Sequence, residues 1–141
     1  MSISGGYGNN ERSWPYGYGA LARVRDAIAA AMGIENRRDH YADRFTDYAL
    51  LGFWVDPETT IITDDPILTP EDDIEYLMLH QDCEGILMPW TSRRIAARLK
   101  DILVHVEDDE VWNSKSTRKL TVELLDLLEW AGEDGVLLEF T

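Results

Sequence analysis

The sequence predicts a mainly α protein with minor β: one domain over residues 1–141, a compact bundle of about four helices with a helix–loop–helix corner and a short C-terminal strand or tail. Three observations carry this. Apolar residues recur at three- and four-residue steps in successive stretches, the spacing that lines one face of an α-helix. Helix-starting and helix-stopping residues bracket those stretches. A chain of 141 residues, 45% of them hydrophobic, suits a single core that buries roughly two-thirds of the unfolded surface. Five tryptophans and six tyrosines argue further for a folded chain, since disordered ones are poor in large aromatics.

Residues 1–18 mix glycines with Tyr7, Trp14, Tyr16 and Tyr18, and glycine is costly inside a helix. This segment reads as an irregular arm whose rings pack on the first helix, or else as an aromatic binding lip. The first helix runs from about Ala20 to Met32 on the stripe Leu21, Val24, Ile28 and Ala31, with Gly33 as its stop. Glu35 to Asp43 reads as a polar linker, Phe45 to Val55 as a short helix, and the β-branched Thr59 to Thr63 as an extended piece. Thr69, Pro70, Glu71 and Asp72 open the next helix with an N-cap, a first-turn proline and two acids. Its apolar face is Ile74, Leu77 and Met78, and it ends near His80. A helix from Pro89 to Val106 follows on Ile95, Leu99, Ile102, Leu103 and Val106, and the acidic run Glu107 to Glu110 interrupts the pattern. The last helix, Ser116 to Ala131, carries Leu120, Leu124, Leu127 and Leu128, with Gly132 as its stop. Val136 to Phe140 is a strand or a docked tail.

Charge is the most informative property. Twenty-seven acids against thirteen bases give −14, which opposes direct contact with nucleic acid or an anionic membrane and favours a basic protein partner. From Phe45 through Ser92 there are eleven acids and no lysine or arginine. Asp64, Asp65, Asp72, Asp73 and Glu75 in this stretch are the candidate partner-binding residues, on a negative face able to steer a basic protein or imitate a phosphate array. The competing reading is that the acids only keep the chain soluble. No apolar run approaches the ~18 residues of a membrane span, the start lacks a signal-peptide pattern, and the single Cys83 permits no internal disulfide. A cytoplasmic location is expected, and the oligomeric state is left open.

The loop His80 to Thr91 echoes a twelve-residue calcium loop of the EF-hand type. His80, Asp82 and Glu84 stand at positions one, three and five, Gly85 at six and Leu87 at eight. Position twelve, where that layout needs a bidentate glutamate, is Thr91. The expectation is an EF-hand-like corner without a tight cation, with no cofactor and at most a weak divalent ion on His80, Asp82 and Glu84. Zinc on His80, Asp82 and Cys83 with His40 or His105 lacks the second ligand cluster such sites use. The flanking acids of Cys83 disfavour the thiolate a nucleophile requires, and no phosphate loop, nucleophile elbow or metalloprotease motif is present, so an enzyme is not expected.

At the same loop, His80-Gln81-Asp82-Cys83-Glu84-Gly85 and the helical Ile95-Ala96-Ala97-Arg98-Leu99 resemble a group of small actinobacterial and phage proteins with an H-S-D-C-D-G loop and no established activity. Trp14 to Gly19 and Leu138-Glu139-Phe140 fit the same group, and the resemblance extends over about half of the chain. The resemblance implies a bacterial or phage setting rather than a mechanism. The function expected is a small acidic interaction or inhibitor protein of phage-encoded or immunity type. The alternatives are a divalent-metal-binding module at 80–91 and a small hydrolase.

Overall fold

The computed structural model describes residues 2–50, 72–80, 85–106 and 115–141. The longest helices, Pro89–His105 (α4) and Lys115–Asp134 (α5), pack on each other most extensively, with Gly17–Ala31 (α1) against α5. Arg37–Leu50 (α2) lies beside α1, and the single turn Glu75–Met78 (α3) beside α4. Four short strands, Ile3–Gly5 (β1), Arg12–Trp14 (β2), Ile86–Leu87 (β3) and Leu138–Phe140 (β4), form one antiparallel sheet in the order β2-β1-β4-β3. The fold is mainly α with minor β, as the apolar spacing predicts.

The helical stripes meet in one core. Leu21, Val24 and Ile28 of α1, Ile95 and Leu99 of α4, and Leu124 and Leu128 of α5 are all fully buried. The sheet contributes its inner face, on which Ile3, Trp14, Leu87, Leu138 and Phe140 are buried, while Ser13 and Glu139 stand exposed on the other face. This alternation is the period-two signature of a sheet covered on one side.

Several elements differ from the sequence reading. The arm 1–18 contains two strands, and its buried ring, Trp14, packs on α5, where its indole N–H donates to the Leu120 carbonyl at 3.0 Å. β1 pairs with the C-terminal β4, so the closing strand and the arm hold each other in place. The supposed linker is the start of α2. The Asn36 side chain accepts the Asp39 backbone N–H at 3.1 Å, an N-cap that lets a polar sequence begin a helix. The helix ahead of His80 is one turn, starting at Glu75; Thr69 and Pro70 lie outside the described residues, as do 51–55 and the extended piece 59–63.

Gly132 does not stop α5. The helix continues to Asp134, and Gly135, at φ 69°, turns the chain, with the Val136 N–H reaching back to the Ala131 carbonyl at 2.9 Å in a Schellman closure. Gly132 is instead a point of close approach between α5 and α4. A Cβ there would stand 3.0–3.2 Å from the Arg93 backbone nitrogen, Cα and Cβ.

Candidate functional site

Three of the five candidate partner-binding acids, Asp72, Asp73 and Glu75, are described; Asp64 and Asp65 lie outside the described residues. Asp72 opens the α3 turn by accepting the Ile74 N–H at 3.0 Å, the local side-chain-to-backbone bond aspartate favours. Its two carboxylate oxygens also accept the Arg98 Nε–H, each at 3.0 Å. One turn earlier on α4, Arg94 donates to Asp73 at 3.1 Å and lies 4.7 Å over the Trp90 ring. Glu75 is only 5% exposed. These carboxylates are turned toward α4 and α2 rather than displayed as one free face.

Tyr41 of α2 shows the same enclosure. It is buried, and its hydroxyl pKa is pushed up to about 12, first by loss of solvent and then by the charges of Glu75 and Asp72, with Arg98 opposing. Beneath this cluster, the buried Arg25 of α1 ties the segment down. Its Nε and Nη2 donate to the Leu77 carbonyl at 3.1 and 2.9 Å, and Nη2 also reaches the His80 carbonyl at 2.6 Å. Cationic donors suit the carbonyls at a helix C-terminus, where the backbone dipole is negative.

His80 follows directly. Its ring stacks on Phe140 with centroids 4.0 Å apart, and Nε2 lies 2.9 Å from the Ile86 carbonyl. A nitrogen that holds a proton for that bond offers no lone pair to a cation. Asp82 and Glu84, the other two candidate ligands, lie outside the described residues. Gly85 turns the chain at φ 95°, and Ile86 and Leu87 then enter the sheet opposite Glu139 and Leu138. Thr91, at the twelfth place, is fully buried in the first turn of α4. The other two histidines sit elsewhere: His40 packs edge-on against Tyr41 at 4.7 Å, and His105 lies 3.2 Å from Asp101. Among the described residues, no group of three His, Cys, Asp or Glu side chains is placed to hold a metal ion.

No family model, curated protein or solved structure matches this chain. Function therefore has to be argued from the site itself.

Of the aromatic arm, Tyr7 is 93% exposed, while Tyr16 and Tyr18 are about half exposed. Tyr16 packs edge-on against Trp14 at 5.2 Å, and its hydrogen bond with Glu123 raises its pKa. No described helix is long and apolar enough to cross a membrane.

Sequence reasoning missed the cations of the cluster. Arg25 stands in the stripe between Leu21 and Ile28, and a base on an apolar helix face is a signal of a buried, carbonyl-bound cation. Arg94 and Arg98 are four apart on one helix face, but nothing local points them at acids more than twenty positions earlier.

Proposed function

We propose that this protein acts by binding a basic protein partner, as an inhibitor or immunity-type protein, through acids of the base-free stretch 45–92, with Asp64 and Asp65 foremost. The observation that supports it is the imbalance of charge that internal pairing leaves behind. At least seven of the thirteen bases are engaged within the chain. Arg25 and Arg93 bind backbone carbonyls, Arg37, Arg94, Arg98 and Lys100 pair with acids, and Arg12 lies over the Trp130 ring. The net charge of −14 is thus carried by acids that outnumber every base left to offset them, and such a surface attracts a cationic protein at long range.

In this reading Asp72 and Asp73 secure the segment to α4 through Arg98 and Arg94, Glu75 is buried near Tyr41 of α2, and the acids on either side of them meet the partner. The test is the double substitution Asp64→Asn with Asp65→Asn. Association with a basic partner should slow, with an unchanged urea unfolding midpoint as the control that the fold is kept. An unchanged on-rate overturns the reading.

A further inference from the structure

A groove of about 560 Å³ opens between the connection that follows β1 and the turn that leads from α5 into β4. One wall is Ser4 to Tyr7 with Glu11; the other is Gly135 to Leu137 with Glu139. The walls meet backbone to backbone: a Cβ on Gly5 would stand 2.6 Å from the Leu137 carbonyl oxygen. No lysine or arginine lines the groove. Arg12, which follows Glu11 in the chain, has its guanidinium 4.9 Å over the Trp130 ring.

The chemistry of the walls is specific. Glu139 stands on the uncovered face of the sheet, in register with Ser4 of β1. Neither its carboxylate nor that of Glu11 has a hydrogen-bond or ion-pair partner among the described residues. Tyr7, 93% exposed, is nevertheless held by an ordered turn, because its carbonyl accepts the Asn10 N–H at 3.0 Å and that of Gly8 accepts the Glu11 N–H. An exposed ring on a fixed backbone offers contact area that loses little freedom on binding.

We infer that this groove receives an arginine side chain of the basic partner, with the guanidinium between the Glu11 and Glu139 carboxylates and its plane on the Tyr7 ring. The inference rests on the basic-partner reading above and names a second contact for it. Arginine fits because its planar fork can donate to two carboxylates while stacking on an aromatic face.

A blocked tripeptide with a central arginine, titrated into the full chain and followed by amide NMR, tests this. Shifts should gather at Ser4 to Tyr7, Glu11 and Gly135 to Glu139. Glu11→Gln with Glu139→Gln should weaken binding at least about tenfold, the loss expected for charge-assisted bonds. Tyr7→Ala should weaken it roughly threefold, as for an exposed cation–π contact. Removing the same charge elsewhere, with Glu35→Gln and Asp43→Asn, should leave the groove shifts unchanged; all these side chains are exposed, so folding is not at stake. The inference is overturned if the shifts spread evenly, if the double variant binds as before, or if a lysine tripeptide binds equally well. Shifts confined to 45–92, or no binding of either peptide, overturn the groove and leave the basic-partner reading to its own test, the on-rate of the Asp64→Asn with Asp65→Asn variant.

Discussion

Replacing Arg25 with methionine removes the clamp between α1 and the segment 72–80 while keeping most of the side-chain volume. The wild-type guanidinium makes three hydrogen bonds to two carbonyls, those of Leu77 and His80, and is 4% exposed. A carbonyl left buried without its donor costs about 1–3 kcal/mol. Two of them, the one at His80 only part-buried, place the loss at roughly 2–5 kcal/mol, a large share of the 5–15 kcal/mol that stabilises an ordinary domain. With a urea slope of about 2 kcal/mol/M, the unfolding midpoint should fall by roughly 1–2.5 M. Arg25→Lys, which keeps the charge but lacks the fork, should fall between methionine and wild type. A methionine variant within about 0.5 kcal/mol of wild type would refute the reasoning, because the two carbonyls would then have other donors.

Other consequences follow from the same geometry. Leu99→Ala and Leu124→Ala, each at a fully buried position, should lower stability by about 2–5 kcal/mol in urea titrations. Tyr41 holds its proton to a higher pH when folded, up to about 12 against the ordinary 10. Its contribution is therefore intact below pH 10 and is lost as pH rises from 10 through 12, on the order of 2 kcal/mol in all; Tyr41→Phe should remove that alkaline loss, read by unfolding at stepped pH. Calorimetric titration with calcium should give no binding tighter than about 10⁻⁵ M, the range of sensor loops, since Thr91 fills the place of the bidentate glutamate and is buried.

What was legible in the sequence was whatever local spacing determines. Pro89 opens α4 and Gly33 closes α1, because a proline's fixed φ and a glycine's left-handed φ act on the chain without help from elsewhere. Strands of two or three residues carry too little alternation to be read, so β1 and β2 lie hidden inside a glycine-rich arm; they pair with each other, and β1 is fixed in the sheet by a strand more than 130 positions away. Gly132 reads as a stop because it follows Ala131, where the expected helix ends; its actual role depends on Arg93 across the helix interface. The acidic cluster shows the same limit. A run of acids without bases is visible in the sequence, but the pairing of Asp72 with Arg98 and of Asp73 with Arg94 spans 26 and 21 positions. Whether a carboxylate faces solvent or a base is decided by the packing of α3 on α4.

The most direct test of the basic-partner account is the salt dependence of association between this chain and its captured partner, measured for wild type and for Asp64→Asn with Asp65→Asn. Between about 0.1 and 1 M salt the screening length falls from roughly 10 to 3 Å. The account predicts that the wild-type on-rate drops steeply over that range and that the double variant starts lower and drops less. An on-rate that ignores both salt and the two substitutions would contradict it.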